Sequence, residues 1–480
     1  MTDQSQTHES TEDTKHSLKP WTLVLCILIG LTFWYLPAPS GLEMSGWHIF
    51  GLFVTTIISL ILKPLPMGAV ALIIIEIAVL TNLVTTKQAF SAFSSTVVWL
   101  VVFALFIAKG FNATGLSKRI AYFFTALMGK KTLGLSYGLM LTDLILAPAI
   151  PSVTGRSAGI VYPILRGIAT SYKSFPNCES SRKIGAFLTV TAFQVTVITS
   201  AMFMTAMAAN PLIASLTAKQ GVHLTWGTWA LAAMVPGVIS LTVVPLIIYF
   251  IYPPTIKTTP NAREDALANL KALGHMKKGE WIMAFTAIVL LVLWMLNEFI
   301  DPAIAAMVGL SILLVTGVLE WKSLVKIDSA WETFVWFCII IFLAGQLSEH
   351  GVLAWFTNNV QSQFGGLHWH YAFPILCLIY FYSHYFFASS TAHVGAMFPA
   401  FLGLAIVLGT PPLLATFILT FFSNLFGGLT HYSLAPAPLL YGVGFVHIKD
   451  WWRIGFLISL VNIAIWCGIG IPWWKFLGYW

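Results

Sequence analysis

The 480-residue sequence predicts an all-α, polytopic membrane protein built from two related halves. Three observations carry this. First, 58% of the residues are hydrophobic and only 9% are charged, against about 25% charged in an average soluble domain, so the surplus apolar surface must face lipid. Second, apolar runs such as 21–37, 46–62, 97–107, 281–296 and 302–319 are long, or nearly long, enough to cross the hydrocarbon core as helices. With broken runs allowed they amount to roughly ten to twelve crossings. Third, segments on either side of one polar stretch match each other in the same order, the first of them at one shared spacing.

In chain order, residues 1–20 are polar and contain Asp3, Glu9, Glu12 and Asp13. They lack the cationic start of a signal peptide and are too acidic for a transit peptide, so they read as a disordered cytoplasmic tail. The N-terminal half, 21–252, carries the first copy of the repeat. Residues 253–280 hold Lys257, Arg263, Lys271, Lys277 and Lys278 and read as a cytoplasmic linker; residues 281–480 carry the second copy. With Lys15, Lys19, Lys173, Arg182 and Lys183, the linker places the basic loops on one side. Positive-inside bias then accounts for the net charge of +7 without a nucleic-acid partner. Lys118/Arg119 and Lys130/Lys131 flank "IAYFFTALMG", too short to span, which suits an interfacial amphipathic helix. The five cysteines (26, 178, 338, 377, 467) lack metal-ligand spacing, and four sit in apolar runs. No disulfide framework, metal site or cofactor is expected.

The matched segments are specific. Thr96 and Trp99 recur as Thr333 and Trp336 at one shared spacing, and Gly115 recurs one position out of step as Gly351. "PAIPSVTGRSAGIVYPI" (148–164) matches "YFFASSTAHVGAMFPAF" (385–401) at that same spacing, pairing Ser152 with Ser389, Val153 with Ser390 and Thr154 with Thr391. "FMTAMAANPLI" resembles "GLTHYSLAPAPLL", with Thr205 facing Thr430 and a proline six residues beyond each. Duplicated halves are typical of secondary transporters. Each S-x-T breaks an apolar stretch, as a re-entrant hairpin does when its tip aims backbone N–H groups and a positive helix end at an anion. One such motif alone reads as Ser/Thr bonding back to its own helix; two at matching places favour a binding site.

The same spacing pairs Arg156 with His393. Ionisable groups inside a membrane are rare, so this pair is expected to act as fixed counter-charges for a carboxylate. Asp143, about nine residues before Ser152, is the nearest acid, and its role is open. An intramembrane enzyme using His384, His393 and His431 is the remote alternative. No acid orients a histidine and no hydrolase or zinc motif occurs, so the chain does not read as an enzyme.

"FSSTVVWLV", "YKSFPN", "SSRKIGAFL", "HYFFASSTAHVGA" and "LAPAPLLYGVGFVHIKDWWRIG" resemble the divalent anion/sodium symporter family. The likeness is strongest to its bacterial and plastid 2-oxoglutarate/malate and citrate/succinate exchangers, and it covers nearly the whole chain after the tail. The resemblance implies an inverted repeat of about eleven transmembrane helices plus two re-entrant hairpins, a homodimer in a bacterial inner membrane, and an elevator-type transport domain. It places Ser152 and Thr154 at one hairpin tip, Ser389, Ser390 and Thr391 at the other, and Thr205 and Thr430 on unwound helices facing them. The family's signature is Ser-Asn-Thr; here its central Asn is Val153 in one copy and Ser390 in the other. Val153 offers no side-chain oxygen to the first sodium site, and Arg156 and His393 replace dissociable ions with built-in charge. A carrier whose cations cannot leave is expected to exchange one dicarboxylate for another. Sodium- or proton-coupled symport of di- or tricarboxylates is the alternative.

Overall fold

A computed structural model describes residues 20–296, 299–364 and 368–480; of the expected tail, 1–20, all but Pro20 lies outside the described residues. The fold is all-helical. Among the described residues, eight helices are long and apolar enough to cross a membrane, and five shorter apolar helices accompany them.

After an opening helix, Pro20–Tyr35, the chain runs through one element order twice. Helices Met44–Leu62, Met67–Leu80 and Thr96–Thr114 recur as Lys278–Met295, Pro302–Val315 and Asp328–Glu349. Leu116–Met128 recurs as Val352–Phe364. Thr132–Leu146 recurs as Trp369–Tyr382, and the two starts stand at the spacing read from the sequence. The helix after each S-x-T motif follows: Val153 to Ser171 in the first copy, through a π-type turn at Ser157–Val161, and Ser390–Val407 in the second.

Next come the most deeply buried helices, Gly185–Met202 and Pro412–Leu425. Every residue of the first is buried, so it touches protein rather than lipid on all sides. Both then unwind, at 203–208 and 429–436, before short helices resume at Ala209–Ala218 and Ala437–Gly442. Unwound backbone at this depth is tolerated only where polar groups find partners. Here Asn424 Nδ2 donates to Asn210 Oδ1 at 2.9 Å, joining the two broken helices, and Gln194 Nε2 donates to Gly428 O at 2.9 Å.

The segment expected as a linker is ordered. Residues 254–259 run along the base of the first hairpin: Thr132 N donates to Lys257 O, Thr259 N to Lys130 O, and Ile256 N to Lys183 O. The helix Pro260–Leu273 follows. The stretch expected to lie at the interface forms Leu116–Met128, with Ala121, Thr125 and Ala126 buried and Phe123 and Leu127 exposed. Arg119 ties it to the scaffold: its Nε and Nη2 reach Glu280 at 2.6 and 3.0 Å, and its Nη1 reaches Gly274 O at 2.9 Å. Gly115 (φ 83°) and Gly351 (φ 72°) precede the matching arms in left-handed conformations that favour glycine.

Candidate functional site

The two hairpins end in the same way. Ser152, in an extended conformation, caps the first tip helix, its Oγ accepting from Gly155 N at 3.0 Å. Ser389, its repeat partner, caps the second, accepting from Ala392 N at 3.3 Å. A serine cap satisfies one first-turn N–H; the remaining donors have no partner within the helix and carry the positive end of its dipole. Each S-x-T motif therefore builds a small polar cup of hydroxyls and backbone N–H groups.

Both cups open into one cavity of about 830 Å³. Ser152, Val153, Thr154, Ser389, Ser390 and Thr391 all line it. Met207 and Ala208, and Leu434 and Ala435, contribute from the unwound segments; Thr333 and Trp336 contribute from the helix Asp328–Glu349. No carboxylate lines the cavity among the described residues, and Lys63 is its one charged side chain. A concave site of this size, with convergent donors and no acid, suits a small anion.

The other four predicted residues lie elsewhere, which corrects the counter-charge expectation. Arg156 is fully buried behind the first tip. Its Nε contacts Asp143 Oδ1 at 3.1 Å, Nη1 donates to Ile150 O at 2.5 Å and Ala206 O at 2.6 Å, and Nη2 donates to Ser200 Oγ at 3.0 Å. Thr199 donates to the other oxygen of Asp143. The guanidinium thus fills a seat of backbone carbonyls between tip and unwound segment, neutralised by an acid on the opposite hairpin arm. Burial explains the arrangement: an unpaired guanidinium costs far more at this depth than a hydrogen-bonded pair.

His393 is equally buried, its Nδ1 3.0 Å from His384 Nδ1 and its Nε2 3.1 Å from Ser383 Oγ. His384 Nε2 in turn lies 2.9 Å from Ser433 O, on the second unwound segment. The repeat extends to these partners, since Asp143 corresponds to Tyr380, whose ring lies 4.8 Å from that of His393 and whose hydroxyl lies 2.7 Å from Ser423 Oγ. Thr205 and Thr430 are also withdrawn: Thr205 Oγ1 donates to Pro148 O at 2.6 Å and accepts from Trp226 Nε1 at 3.1 Å, while Thr430 Oγ1 lies 3.4 Å from Tyr432 N. Arg156, His393 and Thr205 thus brace the tips against the unwound segments from behind, while Thr430 bonds within its own unwound segment.

Sequence reasoning left one residue open and missed another. Asp143 was noted as the nearest acid without a role, which its pairing with Arg156 supplies. Lys63 had no signal, because a lysine between a helix end and "PLP" reads as an ordinary turn.

Two re-entrant hairpins meeting two unwound helices around a donor-lined cavity define a repeat-built secondary carrier. The chain belongs to the family described as sodium:sulfate symporter transmembrane region, which it matches over residues 17–480. It is similar to the spinach protein "Dicarboxylate transporter 1, chloroplastic", 47% identical over 469 residues, covering 97% of this chain and 82% of that one. It is 48% identical to the Bacillus subtilis protein "Putative malate transporter YflS", over 95% of this chain and 96% of that one. To the Escherichia coli "Inner membrane protein YbhI" it is 38% identical over 96% and 98%. Among solved structures, the Alcanivorax borkumensis YdaH transporter shares the fold alone, with a TM-score of 0.54 at 10% identity over 80% of this chain and 85% of that one.

Proposed function

We propose that this protein carries small dicarboxylates across a bacterial inner membrane by exchange, binding them between the two serine-capped tips. The observation that supports this best is the convergence of both S-x-T cups, free of any acid among the described residues, on one cavity. Relatives at 46–48% identity that are named for dicarboxylate or malate transport agree with it. Ser152 and Thr154, with Ser389, Ser390 and Thr391, hold the two carboxylates. Arg156 occupies permanently a carbonyl seat that a dissociable cation could otherwise fill, so no sodium is needed to shape the first tip. The hairpins and broken helices move together as an elevator against the remaining helices, in a homodimer with a cytoplasmic N-terminus.

Since Asp143 neutralises Arg156, exchange does not follow from a trapped charge. It follows from the tip donors. An empty carrier must take them through a dry interface without their anion. Two orphaned donors at about 1–3 kcal/mol each would slow the empty return by roughly one to four orders of magnitude. Proteoliposomes loaded with 2-oxoglutarate, malate, succinate or citrate test this. Labelled malate should enter loaded vesicles at least tenfold faster than empty ones, in sodium or in choline. Equal entry into empty vesicles driven by a sodium or proton gradient would establish coupled symport instead.

A further inference from the structure

The scaffold around the cavity is not electrically symmetric, although the fold is built from a repeat. Lys63 caps the helix Met44–Leu62 with φ 50° and ψ 57°, its N–H donating to Ser59 O. This left-handed position is where glycine is the unstrained choice. The chain nonetheless places an exposed lysine there, at the cavity wall, with no hydrogen bond or ion pair to its ammonium among the described residues.

Lys63 lies on the face that carries the linker. Thr114 sits beside Gly279 at the linker's exit, Lys109 Nζ donates to Ser323 O at 2.7 Å, and Gly68 packs on Glu332 and Val335 at the start of Asp328–Glu349. The repeat equivalent of this corner, at the far ends of Thr96–Thr114 and Lys278–Met295, lines a second hollow of about 470 Å³ with Thr96, Leu100, Asp301 and Pro302. At the spacing of the repeat, Lys63 becomes Ile300 and Pro64 becomes Asp301. Asp301 is exposed, and its Oδ1 caps the following helix by accepting from Ala303 N at 2.7 Å. Lys219 also borders this hollow, but its ammonium is directed to Ile341 O at 3.2 Å. Among the residues that line the two hollows, the linker-face cavity offers an unpaired cation, with the exposed Glu332 outside its lining, and the opposite hollow offers a carboxylate and a lysine already engaged.

We infer that Lys63 is an anion-collecting residue that raises the apparent affinity for dicarboxylates on the linker face only, so that the two faces of the carrier bind the same substrate unequally. This rests on the proposed dicarboxylate carriage and on the two mouths serving as alternate entrances. A fixed charge at a mouth concentrates an oppositely charged ligand and loses that effect in salt.

The test is the KM for labelled malate on each face, using intact cells for the face opposite the linker and inside-out vesicles for the linker face. Lys63→Ala should raise KM on the linker face about threefold to tenfold and abolish its dependence on ionic strength. The maximal rate and the KM on the other face should stay as in wild type, and Lys63→Arg should preserve wild-type values. Lys63→Gly, which relieves the backbone, should melt no lower than wild type yet show the same rise in KM; a structural role would not separate these readouts. Asp301→Asn, which retains the cap, should lower KM on the opposite face. An unchanged KM in Lys63→Ala, or an equal rise on both faces, would overturn the inference while wild-type exchange stands. A wild-type protein that moves no dicarboxylate from either face would overturn the proposed function itself.

Discussion

Replacing Arg156 by alanine empties the carbonyl seat behind the first tip and tests whether that seat is a cation site. The side chain makes four contacts, to Asp143, Ile150 O, Ala206 O and Ser200. Its loss orphans a buried carboxylate and two carbonyls. Breaking a buried pair from one side typically costs about 3–5 kcal/mol, mostly as the penalty of the partner left behind. The polar partners it leaves are all oxygen ligands: a carboxylate, two carbonyls and the hydroxyl of Ser200. Hard cations favour such ligands. If sodium enters with a dissociation constant of about 10 mM, then about 100 mM sodium restores roughly 1.4 kcal/mol by mass action. Thermal unfolding of purified protein in sodium and in choline chloride reads both effects. Arg156→Ala should melt well below wild type and recover part of the difference in sodium alone; wild type should be indifferent to the ion. The double variant Asp143→Asn/Arg156→Gln should be more stable than the two single losses summed, by about 0.5–3 kcal/mol. An Arg156→Ala protein that melts with wild type, or a double variant whose losses simply add, refutes the seat.

Other outcomes follow from the same geometry. Ser152→Ala and Ser389→Ala each remove a cap worth about 1 kcal/mol, so malate KM should rise in both with a modest fall in melting temperature. His393→Phe keeps the ring among Tyr380, Phe387 and Phe426 and should melt closer to wild type than His393→Ala, which leaves a cavity as well as an orphaned His384. Cys178 is exposed on the loop after the first hairpin, and the hydrogen bond from Ser180 holds its thiol below the usual thiol range. A lowered value means more thiolate at neutral pH, so alkylation of Cys178 should reach half-maximal rate at a lower pH than for free cysteine, and Ser180→Ala should move it up. An impermeant reagent should reach Cys178 only from the face that carries the linker.

Much of the architecture was legible because the repeat is written at one shared spacing as far as the tips. Thr132 and Trp369 start their helices as far apart in the chain as Ser152 and Ser389, which cap theirs. The tips were legible too, since hydroxyls in apolar runs must bond to something. What spacing does not encode is the direction a side chain takes once the helix resumes. Residues 152–155, 158 and 159 reach the cavity, whereas Arg156, Ser157 and Ile160 fall on the face turned away from it. Counting residues from the tip placed Arg156 and His393 near the substrate, while helical periodicity puts them behind it. Thr205 and Thr430 were misplaced for a related reason: on an unwound segment the backbone needs partners first, and their hydroxyls turn to it.

In the proposed elevator cycle, the glycines before the two arms would set how far the hairpins travel. At Gly115 and Gly351 nothing lies within 4 Å of where a β-carbon would stand, and the same is true of Gly274. Leu116–Met128 and Pro260–Leu273 pack together and hold the hairpin base, so in that cycle they would act as a crank whose bearings are Gly115 and Gly274. Between Leu273 and Lys278 the chain can extend at most about 18 Å. A stiffer bearing, such as alanine at Gly115 or Gly351, should therefore act as a brake: it would slow the cycle without altering how tightly either mouth holds its anion.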